Sequence, residues 1–199
     1  MNADSCGIAI DFGTALHDGT PVRIRAVRAD DKERLQCAFE RLSPATINRR
    51  FFHPKKELTS EELRMATELD FRDHVSLAMT VEEKSSERLI AVARFVRVAA
   101  AADRAELALT VVDEYQHRGA GTLLLDELVA VARWMGVREL VALVLDENRD
   151  MLELLQKLNL PIQQTIEESV HRVVLQLAAS TPEIHQRPQQ SAPTHHGHA

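Results

Sequence analysis

The chain has 199 residues, 45% apolar and 27% charged, the proportions of one soluble globular domain with a proper core rather than a fibrous or disordered protein. Its formal net charge of −6 argues against broad nucleic-acid binding, which needs a basic patch to neutralise phosphates. No long uncharged apolar window offers a membrane span, the N-terminus lacks the basic and apolar segments of a secretory signal, and Cys6 and Cys37 lack metal-ligand spacing, so a cytoplasmic protein with reduced thiols is expected.

TALHDGTPVRIRAV reads as a β-hairpin: Asp18-Gly19 supplies a positive-φ turn, and Val22, Ile24 and Ala26 alternate as in a half-buried strand. A helix is expected over DDKERLQCAFERLSP, with Asp30 and Glu33 spaced as a capping box and Leu35, Phe39 and Leu42 on one face. Ser43-Pro44 restarts the chain as N-cap and first residue of a short helix over ATINRRFF, and Thr59 with Glu62 repeats the start signal before a third helix. Strands are expected at 74–82, 88–98 and 104–112, the first two paired antiparallel, with 99–103 as a loop. Leu124, Leu128, Val131, Ala132 and Met135 recur on one helical face, and Gly136 ends that helix. Residues 138–146 form a nearly continuous apolar strand, the pattern of one covered on both faces. Met151, Leu154, Leu155 and Leu158 mark another helix, stopped at Pro161, and a closing pair of strands follows.

From Ala179 the Pro-, Gln- and His-rich sequence cannot bury enough surface to order itself and reads as a disordered tail. The organisation expected is an N-terminal extension (1–13), one domain (14–178) and that tail (179–199). His53, His74, His117 and His171 are scattered without ligand spacing, so no metal site is proposed.

The segment DEYQHRGAG (113–121) lies between an apolar strand and an amphipathic helix. A helix N-terminus presents free N–H groups and partial positive charge, and glycines there let the backbone approach a phosphate. The Walker loop is excluded because Thr122-Leu123, without a lysine, follows Gly121, and the Rossmann fingerprint because it needs a third glycine in a first strand–turn–helix unit. What remains is Gln-x-x-Gly-x-Gly: Gln116, His117, Arg118, Gly119, Ala120, Gly121.

This motif resembles the pyrophosphate-binding signature of the GNAT superfamily of N-acetyltransferases, and the resemblance covers roughly residues 14–178. LHDGTPVRIR, FERLSP, RRFFHP, LDFRDHVSLAM and DENRDML further resemble the acetyltransferase module of bacterial protein lysine acetyltransferases. In such proteins the module is often fused to an acyl-CoA synthetase-like region or a cyclic-nucleotide-binding domain, and a free-standing version is expected here. The resemblance implies an α/β (α+β) fold with a mixed, mostly antiparallel central sheet of about six to seven strands flanked by helices. It implies acetyl-CoA as co-substrate and an amine acceptor, a lysine on a cytosolic protein, with no nucleic acid or membrane partner. The alternatives are transfer to a small amine and a non-catalytic acyl-CoA sensor.

An amine must lose a proton before it attacks a thioester, so a base is required. Glu106 matches the place of the family's usual catalytic glutamate, thirteen residues before Gly119. By the same resemblance Val111 and Val112 contact the pantetheine arm, with an N–H near Val112 stabilising the thioester oxygen. Gln116, His117, Arg118, Gly119, Ala120, Gly121 and Thr122 form the pyrophosphate loop, and Asn148 reaches the cofactor arm or caps a helix. Asp113 and Glu114 are read as shaping the turn, since a carboxylate would repel a diphosphate. Where many family members carry a tyrosine as acid for the leaving thiolate, this chain has Leu155, and its sole tyrosine, Tyr115, lies in another segment. Arg49-Arg50-Phe51-Phe52 lies where the family forms its acceptor groove, the arginines read as solvated and the phenylalanines as core.

Overall fold

The Asp18-Gly19 turn folds the chain back as expected. Gly19 takes φ +84°, and the Asp18 carboxylate accepts the Thr20 amide at 2.9 Å. The two arms are β1 (Asp11–Ala15) and β2 (Pro21–Ala26), paired antiparallel. The computed structural model describes residues 10–83 and 86–177. Cys6 and the tail expected over 179–199 lie outside them, and β1 begins within the segment read as an extension.

The polar side of the β2 alternation does not face water at Arg25, which is 1% exposed. Its guanidinium donates to both carboxylate oxygens of Asp31 at 2.7 and 2.8 Å and to Glu87 at 2.9 Å. Asp31 also accepts the Arg28 amide at 2.8 Å. The entry to α1 (Lys32–Glu40) is therefore held by Asp31 rather than by the expected Asp30–Glu33 box. Burial pushes the Asp31 carboxyl up, but its hydrogen bonds from Arg25 and the Arg28 amide outweigh that and leave it below the usual range.

Ser43 caps α2 (Pro44–Phe51), its hydroxyl accepting the Thr46 amide at 3.2 Å. Thr59 and Glu62 form the expected reciprocal box at the start of α3 (Ser60–Thr67), at 2.8 and 3.2 Å. Then come β3 (His74–Glu83), β4 (Ser86–Val98) and β5 (Ala101–Val111). Only Ala99 and Ala100 separate β4 from β5, a tighter turn than the loop expected over 99–103. The chain continues through α4 (Ala120–Trp134), β6 (Glu139–Leu145), α5 (Arg149–Lys157), β7 (Ile162–Glu167) and β8 (Val170–Gln176).

The eight strands form one sheet in the order β1-β2-β3-β4-β5-β6-β8-β7, against the six to seven expected. Only the β5–β6 pair is parallel. That pair holds just three register partners, Arg104–Glu139, Ala105–Leu140 and Glu106–Val141, after which the strands diverge. Side-chain parity then divides β5. Leu107, Leu109 and Val111 share the face of α4, where Gly121 lies against Leu109 and Val111. Glu106, Ala108 and Thr110 share the face of α1–α3. Leu124, Leu125 and Leu128 of α4 are fully buried against the sheet, each contributing about 1.5–3 kcal/mol by burial. Among the described residues no helix is long and apolar enough to cross a membrane.

Candidate active site

The segment between β5 and α4 is shaped by three tethers. Asp113 accepts the Ser43 amide at 3.0 Å, the Ser43 hydroxyl at 2.6 Å and the Thr46 hydroxyl at 2.9 Å. Burial raises the Asp113 carboxyl, yet these bonds hold it low, so it is an ionised structural anchor. Glu114 pairs with Arg41 at 2.6 Å. The Gln116 side-chain amide Nε2 donates to the Val111 carbonyl at 3.0 Å and the Thr46 hydroxyl at 3.3 Å, fixing the end of β5 against α2. Asp113 and Glu114 thus shape the turn, as expected.

Beyond Gln116 the backbone turns its donors outward. His117 has φ +57° and Gly119 φ +90°. Among the described residues, the N–H groups from His117 to Thr122 find no acceptor in the protein, and the first helical bond is Leu123 N–H to the Gly119 carbonyl at 3.1 Å. Six successive free amides at the positive end of a fifteen-residue helix form an anion cradle. Glycine is required at 119 for its φ, and an added Cβ would also lie 2.5 Å from the movable His17 ring. The sequence reading missed His17, which comes from the β1–β2 turn and donates its amide to the Arg118 carbonyl at 3.0 Å. The Arg118 side chain pairs with Asp18 at 3.2 Å and lies 5.3 Å from the Tyr115 ring centroid.

Where β5 and β6 part, a cleft of about 720 Å³ opens through the sheet, lined by residues from both faces of β5. Glu106, Ala108 and Thr110 line it on one side, Leu109 and Val111 on the other, with Gln116, His117, Gly119, Gly121 and Thr122 at the loop end. Ala120 is 1% exposed, and its side chain packs in the core rather than lining the cleft. Glu106 is exposed, and its strand neighbour Arg104 is taken by Glu139 at 2.6 Å. Asn148 lines the cleft and also caps α5, accepting the Met151 amide at 3.3 Å.

Val112 corrects the expectation for the oxyanion donor. It is 2% exposed, and its amide donates to the Ile90 carbonyl at 2.8 Å. The alternation of an antiparallel ladder explains this: if Val112 N–H points to β4, the amides of Leu109 and Val111 point away from it, toward the gap β6 has left. Leu155 is fully buried and does not line the cleft. Tyr115 directs its hydroxyl to Glu83 at 3.1 Å, and burial, with Glu83 behind it, pushes its pKa up. Phe51 packs edge-on to Phe39 at 5.8 Å, as a core residue should. Phe52 instead is 42% exposed at the cleft, and Arg50 is half-buried there rather than solvated.

An amide cradle that leads into a splayed parallel pair offers donors for an anionic group at one end and a narrow cleft at the other. The chain belongs to the GNAT acetyltransferase family, whose sequence model matches residues 43–160. It is similar to Acetyltransferase PA5475 of Pseudomonas aeruginosa, 30% identical over 81% of this chain and 88% of that protein. It is 37% identical to Acetyltransferase Pat of Mycolicibacterium smegmatis over 68% of this chain, and spans 40% of that protein's length. The crystal structure of the GNAT domain of S. lividans PAT superposes with a TM-score of 0.77 at 33% identity, covering 84% of this chain and 97% of the other. The protein is an acetyltransferase of this family, whose co-substrate is acetyl-CoA.

Proposed function

We propose that the enzyme transfers the acetyl group of acetyl-CoA directly to a lysine side chain of a cytosolic protein, with Glu106 as general base. The observation that carries this reading is Glu106 itself: an exposed carboxylate on the wall of the through-sheet cleft, at the last paired residue before β5 and β6 diverge. The motifs that resemble those of bacterial protein lysine acetyltransferases support the acceptor class.

The main-chain amides of 117–122 hold the diphosphate, with Gln116 and Asn148 fixing the two rims of the cleft. The amides of Leu109 and Val111, left unpaired by β6, bind the arm and the thioester oxygen, on which negative charge develops. A lysine ammonium, with an ordinary pKa of about 10.4, gives one proton to Glu106 directly or through water. The nitrogen then attacks the thioester carbon, the C–N bond forms, and the C–S bond breaks. The nitrogen's surplus proton passes through water to the departing thiolate. A free thiol near 8.5 leaves without a dedicated acid, which fits a buried Leu155.

The test incubates the protein with acetyl-CoA and a cytosolic lysate and locates new acetyl groups by mass spectrometry, beside Glu106→Gln. Acetylated lysines with the native protein and none with the variant are expected. Acetylated small amines alone would replace the protein acceptor with a small one.

A further inference from the structure

Two guanidiniums face the cleft with nothing to bind. Arg50 of α2 and Arg94 of β4 border both the main cleft and a smaller chamber of about 250 Å³ beneath α1–α3. The contrast with Arg25 is direct, since Arg25 is fully buried but satisfied by two carboxylates. Among the described residues neither Arg50 nor Arg94 has a hydrogen bond or ion pair; Arg50 feels Arg94 as a like charge, and Arg94 feels Glu106 as an opposite charge at a distance. Burial, with repulsion from Arg94 behind it, pulls Arg50 down to about 10, so it stays cationic at neutral pH. The Phe51 ring, 5.1 Å from its guanidinium, offsets part of that cost. The chamber is also lined by Ser76, 1% exposed, whose hydroxyl has no partner. Of the three only the Ser76 hydroxyl is buried without a partner; the two guanidiniums are half-buried, and an entering anion offers them charge-assisted hydrogen bonds that water alone does not match.

Their place relative to the reacting group follows from register. Arg94 is opposite Ala108 and Val96 is opposite Glu106, so Arg94 and Glu106 are diagonal neighbours on one face, roughly 7–8 Å apart. We propose that Arg50 and Arg94 form an anion subsite that selects acceptors carrying a carboxylate or phosphate within about one residue's length of the reacting amine. The proposal rests on Glu106 marking where the amine reacts. In a protein acceptor the anion is an acidic side chain beside the lysine, and a polyamine is repelled.

The full chain, with saturating acetyl-CoA, is assayed for CoA release on two matched pairs: capped peptides containing Lys-Glu or Lys-Gln, and 6-aminohexanoate or 1,6-diaminohexane. The anionic member is expected to have about tenfold higher kcat/KM, the scale of one charge-assisted contact. In Arg50→Gln and Arg94→Gln that ratio falls toward one. Turnover and anion preference on the small amines alone keep the subsite and remove the protein-lysine reading. An equal or cationic preference overturns the subsite, and that ratio is read on the native protein without any variant. If no acceptor is turned over, inorganic phosphate decides: it raises the melting temperature of the native protein more than that of Arg50→Gln, or the subsite is wrong.

Discussion

Replacing Gly119 with alanine perturbs the loop in two ways that can be separated. The added Cβ would lie 2.5 Å from His17 Nε2, and the residue would have to keep φ +90°. His17 is exposed and can swing aside, so the contact is relieved cheaply. The backbone has no such escape, and a left-handed conformation costs a non-glycine residue about 1–2 kcal/mol. At about 2–4 °C per kcal/mol for a domain of this size, the melting temperature should fall by about 2–8 °C. If the loop relaxes, at least one amide is lost to the diphosphate. A charge-assisted bond of about 1.5–3 kcal/mol corresponds to roughly ten- to hundredfold weaker binding. Titration calorimetry with coenzyme A and differential scanning fluorimetry read both effects. In a His17→Ala background the steric contact is gone but the φ remains, so Gly119→Ala should still bind weakly there. Native affinity and melting temperature in Gly119→Ala would refute the requirement for glycine. Recovery of affinity in the double variant would assign the effect to His17 instead.

Glu106→Gln should lower kcat by about 10²–10⁴ while coenzyme A binding persists, read by CoA release and calorimetry. Tyr115→Phe should leave kcat unchanged, because that hydroxyl serves Glu83 and not the cleft. Asp31→Ala strands the buried Arg25 guanidinium and should cost about 3–5 kcal/mol in denaturant unfolding. Acid should weaken the fold through the same cluster. Arg25 holds the Glu87 carboxyl down to about 2, below an unfolded value of about 4.3. Its contribution is therefore complete above that unfolded value and is lost as pH falls toward about 2. Unfolding followed by circular dichroism at acid pH checks this, and Glu87→Gln should flatten the profile.

Local chemistry carried most of the fold into the sequence. Gly19, Ser43-Pro44 and the Thr59–Glu62 box act within a few residues of themselves, so spacing reveals them. The strand-to-helix junction at 116–121 was legible for the same reason, since its turn and Gly119 act within their own few residues. What stayed hidden depends on partners far along the chain. Arg25 looks like an outward-facing strand residue until Glu87, sixty-two positions on, closes over it. Val112 was misplaced because the direction of a strand amide depends on the parity of pairing with β4, which no single-strand pattern encodes. Arg94, inside an apolar run, gave no sign of facing the cleft, and Arg50 is half-buried because α2 packs against β5.

Hydrogen–deuterium exchange of the 117–122 amides tests the central claim most directly, with and without coenzyme A or acetylated pantetheine, which lacks the diphosphate. Coenzyme A should slow exchange across His117–Thr122, and the pantetheine compound should leave that segment fast. Equal exchange with and without coenzyme A, under conditions where the ligand is bound, would contradict the account.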